Sequence, residues 1–300
     1  MNAELHTANG RRVLQIRPTD ICRTYGVMIR FDDKTRIHYE TEVSQLPDAE
    51  EGFLFLVDRK QVYINNHAPD LMIDRLADDL GKCLYPLELR TDNECRLTAI
   101  ANKNALSKRW VQQKEKLAQY YKGQLAQDAL LKMEAILGNE GSLLLRLKDD
   151  WFYSLFFSGI YGLRSHDFRQ KTPLELPVVP YGPLLKYTVT REITEQHTES
   201  QCLIINCKGR IEEQRSAEDI AMKRSAPIHK TLHGSGTGAE GEVEIRYRLY
   251  HKDFGVRSVT GFCSFNDPAE TGRRITFEIY HLPEKDKLAT LHRQSILIGK

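Results

Sequence analysis

Two pairs of side chains in this sequence have the donor atoms of a metal site. Cys202-x4-Cys207 offers two thiols and His229-x3-His233 two imidazoles, the set that holds a structural zinc ion, and the histidines share a face if their segment is helical. Two features point the other way. Residues 208–228 separate the pairs, a gap longer than a zinc finger uses, and cysteines five apart on a strand face opposite sides. The spacing therefore favours buried thiols and loop imidazoles, with zinc as the alternative and no other cofactor expected.

Other motifs dissolve on inspection of their flanks. The loop Gly234-Ser235-Gly236-Thr237-Gly238-Ala239-Glu240-Gly241 has the glycines of a phosphate cradle, but Glu242-Val243 follows where a P-loop needs Lys-Ser/Thr. Strand-like alternation also follows where a dinucleotide site needs a helix, so the loop reads as a flexible connector. Asp253-Phe254-Gly255 spells a kinase tripeptide without its partner motifs and reads as a hairpin turn. Acid pairs stand at Asp32-Asp33, Glu50-Glu51, Asp78-Asp79 and Asp149-Asp150. General acid-base work needs carboxyls that face one another, which adjacent residues of one turn rarely do. An enzyme would have to assemble its site from distant acids and histidines, as a hydrolase or a metal-dependent enzyme.

The elements that would position such groups are written in the hydrophobic period. Up to Ala101 the period is two: Tyr25, Val27, Ile29 and Phe31 share a face, Asp32-Asp33-Lys34 turns the chain, and Ile37, Tyr39, Thr41 and Val43 answer. Phe53–Val57 and Gln61–Asn65 are predicted as a second hairpin around Asp58-Arg59-Lys60. A helix after Pro69 is predicted to turn Met72, Ile73, Leu76 and Leu80 inward and to stop at Gly81.

From Asn102 the period becomes helical. Leu106, Trp110, Leu117 and Tyr121 form one stripe and Leu125, Ala129, Met133 and Leu137 the next, with Asn102 or Asn104 as cap. Leu144, Leu147, Trp151, Leu155 and Phe156 then supply the largest apolar cluster, the expected anchor of the helices on a sheet. Pro173, Pro177, Pro180 and Pro183 mark an extended crossing. Strands resume at Leu184–Ile193 and Gln201–Cys207, then Ser216 and Asp219 have capping-box spacing, and a meander closes with Val243–Leu249, Val256–Phe265 and Ile275–Ile279.

These parts add up to an α+β chain in which a curved antiparallel sheet, an incomplete barrel, is covered by a helical insertion. Residues 1–101 are strand-rich, 102–161 helical and 162–300 strand-rich again, in one continuous domain. Composition agrees with a globular chain: 300 residues, 41% hydrophobic and 28% charged. A formal charge of +2, from 43 basic and 41 acidic residues, supplies no field for nucleic acid. The first residues hold no apolar run, so no secretory signal is read and a cytoplasmic protein is expected. The six cysteines are accordingly expected as free thiols.

A turn and strand reaching Ala101-Asn102, a helix with Trp110, the acidic-aromatic run Asp149-Asp150-Trp151-Phe152 through Tyr161, and the terminal meander together resemble the incomplete antiparallel barrels of bacterial lipoprotein carriers. The resemblance implies a sheet and helical lid enclosing a groove, with Trp110, Trp151, Phe152 and Phe156 as its candidate walls. The functional expectation is a non-catalytic binding or assembly protein that takes an apolar ligand or a partner protein segment, without a cofactor, in the setting of a secretion or toxin-immunity accessory.

Overall fold

The computed structural model describes residues 5–8, 11–47, 51–165, 169–196, 202–228, 238–266 and 272–286. Its strands are β1 (Leu5–Ala8), β2 (Arg11–Ile16), β3 (Cys22–Phe31), β4 (Thr35–Leu46), β5 (Phe53–Ile64), β6 (Leu87–Thr91), β7 (Leu97–Ile100), β8 (Gly162–Ser165), β9 (Arg169–Leu176), β10 (Leu185–Gln196), β11 (Cys202–Ile211), β12 (Glu242–Tyr250), β13 (Val256–Phe265) and β14 (Arg273–His281). The helices are α1 (Met72–Lys82), α2 (Lys103–Tyr120), α3 (Gln124–Gly138), α4 (Glu140–Lys148), α5 (Trp151–Phe156) and α6 (Ala217–Ala221).

Eleven strands form one antiparallel sheet in the order β7-β6-β5-β4-β3-β14-β13-β12-β11-β10-β9, and β1-β2-β8 form a separate three-stranded sheet. The large sheet is open, since its order begins at β7 and ends at β9. With its helices, it makes the chain α+β, as the change of period predicts.

The chain divides into two compact units. The first comprises residues 1–19, 28–36 and 148–281. Its core is read directly from the period-two pattern: Val243, Ile245, Tyr247 and Leu249 of β12 and Ile275, Phe277 and Ile279 of β14 are buried. Helix α5 starts at Asp150, whose carboxylate accepts from the Phe152 and Tyr153 amides at 2.8 and 3.4 Å. That cap starts a helix separate from α4, which ends at Lys148. On α4, in the second unit, Leu143 and not Leu144 takes the inward place beside Leu147.

The expected capping box is present on α6: Ser216 Oγ accepts from the Asp219 amide at 3.1 Å, and Asp219 accepts from the Ser216 amide. Burial alone would raise the Asp219 carboxyl, but hydrogen bonds from Arg224, Ser216 and the Ile228 amide outweigh it and hold the group at about 2. Nearby, the Arg215 guanidinium pairs with Glu213 and donates to the Leu184 and Arg224 carbonyls at 2.8 and 3.0 Å. Pro173 lies within β9, the last strand of the sheet, so the proline-rich crossing begins as an edge strand.

The second unit comprises residues 20–27, 37–147 and 282–300. Here β5 is one strand through Asp58-Arg59-Lys60, correcting the expected hairpin. A register shift between Tyr39 and Thr41 absorbs the irregularity, and the charges find partners: Lys60 pairs with Asp58 at 2.7 Å and Glu42 at 3.1 Å. Helix α1 runs on through Gly81 to Lys82 rather than stopping there. Gly81 leaves room for the Arg59 guanidinium, which stands over the Tyr39 and Tyr85 rings and would have to move aside for a Cβ there.

Helix α2 packs on α3 with the predicted stripe Leu106, Trp110 and Leu117 buried, and Tyr121 just beyond its end. Asn102 precedes it, but its amide serves elsewhere: Oδ1 accepts from the Glu88 amide and Nδ2 donates to the Pro86 carbonyl. On α3 the buried positions are Ala126, Leu130, Met133 and Leu137, with Leu125 exposed. No helix among the described residues is long and apolar enough to cross a membrane.

Candidate functional site

A pocket of about 410 Å³ opens in the second unit, lined by β5, α1 and the C-terminal end of α2. Its charged lining comes from Arg75, Asp78, Asp79 and Lys82 on α1 and Lys116 on α2, with Gln61, Tyr120 and Tyr121 alongside. Helical spacing organises the floor. Lys82 stands four residues after Asp78 and three after Asp79, so its ammonium reaches both carboxylates, at 2.6 and 3.4 Å. Asp78 Oδ2 also accepts from Gln61 Nε2 at 3.3 Å, and Asp79 Oδ2 accepts from the Tyr121 hydroxyl at 2.8 Å.

Asp78 is 8% exposed, and its Oδ1 has no hydrogen-bond partner. A buried carboxylate oxygen left without a donor is costly, about 1–3 kcal/mol or more. The floor thus holds two carboxylates against one ammonium and keeps an acceptor unused.

Three groups around the floor favour their proton-bearing forms. The hydrogen bond that Lys82 donates to Asp78 raises the ammonium against the effect of its burial, keeping it charged. Burial pushes the Cys83 thiol up, so the neighbouring sulfur is no thiolate. Burial first, then the hydrogen bond to Asp79, pushes the Tyr121 phenol up to about 12.

A raised phenol has a definite signature in pH. The neutral form is favoured in the folded state, so Tyr121 contributes stability fully below its ordinary value near 10 and loses it as pH climbs towards about 12. The difference ultraviolet titration of wild type minus Tyr121→Phe is expected to show a midpoint near 12. In Asp79→Asn the midpoint falls but stays above 10, because burial is the larger cause. A midpoint at 10 in the wild type would show that the phenol is neither buried nor bonded as described.

The pocket adjoins an apolar surface. Ala68 and Pro69 line it on one side and Arg75 on the other, with Arg75 Nε donating to the Pro69 carbonyl at 3.2 Å. Between them Leu71, Met72 and Ile73 are 62, 69 and 45% exposed, and Tyr120 at the far rim is also exposed. This corrects the predicted inward stripe of α1. Leu76 is buried as expected, but the second deeply buried residue is Asp78, and the helix start faces outward.

The sequence-named candidates lie elsewhere. Cys202 and Cys207 are both buried in β11, about 16 Å apart along an extended strand and on opposite faces, so their sulfurs do not meet. Cys202 Sγ instead accepts from Arg257 Nη1 at 3.2 Å. His229 and His233 lie outside the described residues, as do residues 234–237 of the glycine loop. No group of three or more His, Cys, Asp or Glu side chains among the described residues is placed to hold a metal ion.

Trp110 is buried within the second unit, and Trp151, Phe152 and Phe156 are buried within the first. Trp151 stacks on Phe277 with ring centroids 5.9 Å apart, and Phe152 on Phe156 at 5.0 Å. These rings pack against their own cores and do not line the pocket.

No family model matches the chain, and no curated protein matches it. Among solved structures it is similar to one described as lipid-protein interactions in lipovitellin, with a TM-score of 0.44 and 8% identity. That likeness covers 89% of this chain and 25% of the other, so the chain spans about a quarter of its length. At this TM-score it carries no argument about function, and it lends no support to the resemblance to bacterial lipoprotein carriers.

Proposed function

We propose that this is a non-catalytic binding protein that receives a segment of a partner protein on the surface made by the start of α1 and the end of α2. One observation carries the reading: the exposed Leu71-Met72-Ile73 run flanks, through Pro69 and Arg75, a pocket with a charged lining. Clustered apolar side chains on a surface are the usual mark of a contact site, and a polar cavity next to them gives register. Lys82 and Tyr121 keep their protons and tie the two carboxylates of the floor, an arrangement suited to holding rather than to taking a proton from a ligand. The secretion or toxin-immunity setting rests on no residue of this surface.

Selection of random displayed peptides on the purified chain, followed by hydrogen exchange of the complexes, tests the proposal. Bound peptides are expected to protect residues 68–82 and 116–121. The double substitution Leu71→Asp/Met72→Asp should weaken them by at least about tenfold, or about 1.4 kcal/mol, while leaving unfolding within about 0.5 kcal/mol. Protection confined to other elements, or affinity indifferent to the double substitution, would overturn it.

A further inference from the structure

We infer that the partner segment is acidic: one of its aspartate or glutamate side chains places its carboxylate against Arg75 and Lys116, next to the apolar residue that rests on Leu71 and Met72. The inference rests on the partner-segment reading and adds the chemistry of what docks.

The charges of the pocket do not balance among themselves. Arg75, Lys82 and Lys116 stand against Asp78 and Asp79. Lys82 already ties both carboxylates, Gln61 holds Asp78 and the Tyr121 hydroxyl holds Asp79. Among the described residues, neither the Arg75 guanidinium nor the Lys116 ammonium forms an ion pair. For Lys116 the reason is in the sequence: the positions three and four away on its helix are Gln112, Gln113, Gln119 and Tyr120, none of them acidic. Asp70 and Asp74 flank the apolar run but line no part of the pocket.

Arg75 is held ready for a carboxylate. Its Nε donates to the Pro69 carbonyl at 3.2 Å, which leaves Nη1 and Nη2, an end of the fork that a carboxylate meets with both oxygens. The Arg75 amide donates to the Leu71 carbonyl at 2.9 Å as the first bond of α1, so the fork stands one turn on from Leu71 and Met72 and shares their face. A short segment can therefore set an apolar side chain on that pair and an acidic one on the fork. The surplus in the pocket is one positive charge, three cations against two carboxylates, which a single carboxylate balances and a doubly charged phosphoryl group overshoots. A basic segment would meet two unpaired cations instead.

The probes are peptides selected on the full chain from two displayed libraries of equal apolar content, one supplying Asp and Glu and the other Asn and Gln in their place. Peptides of the first library that protect residues 68–82 and 116–121 are expected to lose about fivefold or more in affinity when the acid is changed to its amide. In Arg75→Gln/Lys116→Gln the same change should cost less than about twofold, the mark of a direct pairing. Both side chains are exposed, so this variant is expected to unfold at the wild-type urea concentration. Protecting peptides that bind equally well as acid or amide, an acid-to-amide loss that persists undiminished in the double variant, or tighter binding with phosphoserine in the acid's place each overturn the carboxylate and leave the docking surface standing. Peptides from either library that never protect α1 overturn the docking surface, and the inference with it.

Discussion

Trp151→Ala is expected to lower the unfolding free energy of the first unit by about 3–5 kcal/mol. The indole is the first residue of α5, and it stacks on Phe277 of β14 while Phe31 of β3 meets it edge-on at 6.3 Å. Removing it takes away the transfer free energy of a large buried ring and leaves a cavity between two aromatic rings from different strands. Neither strand can relax into that space without breaking ladder hydrogen bonds, so collapse is limited and the cavity cost is retained. Hydrogen exchange in urea, read at the α5 and β14 amides, measures the effect in the right place. A loss below about 1 kcal/mol would mean that the rings do not pack as described.

Arg215→Met should cost about 3–5 kcal/mol, and Glu213→Gln/Arg215→Met distinctly less than that single change. Both side chains of the pair are almost wholly enclosed, at 5 and 6% exposure. The single substitution strands the Glu213 carboxylate in the interior and takes the donors from the Leu184 and Arg224 carbonyls. The double substitution removes the stranded charge, though not the loss at the carbonyls. Urea unfolding of the four proteins closes the cycle. Additive costs would show that the two groups do not depend on each other.

Much of the sheet was legible because its side chains alternate. Val243 to Leu249 and Ile275 to Ile279 each keep one face apolar, and both faces are found where the period puts them. What the period cannot show is a polar irregularity that the fold satisfies from elsewhere. Asp58-Arg59-Lys60 looks like a turn until Glu42, Tyr39 and Tyr85 supply partners across the strands. Asn102 likewise has the chemistry of a helix cap and spends it on Pro86 and Glu88 instead.

The candidate site was half visible. Asp78-Asp79 stood out as an acid pair, and adjacent carboxylates do point apart, Asp78 to Gln61 and Asp79 to Tyr121. The overlooked signal was Lys82, whose spacing from both acids lets one ammonium tie them together. The outward turn of Met72 and Ile73 had no such signal. Amphipathic spacing gives a stripe its direction only where the neighbouring element covers it, and that cover is a property of the tertiary structure.

The two ends of the large sheet bear on how it lives among other proteins. At one end β7 is only four residues long, and at the other β9 shows Arg169, Lys171 and Glu175 outward and carries Pro173, which has no amide hydrogen to give. A long ladder with bare, regular borders would invite foreign strands to continue it, the first step in templated polymerisation. Here one border is too short for a stable register and the other is charged and interrupted. The eleven-stranded ladder therefore carries its own terminators, and a partner segment would have to be recognised through side chains rather than recruited as a twelfth strand.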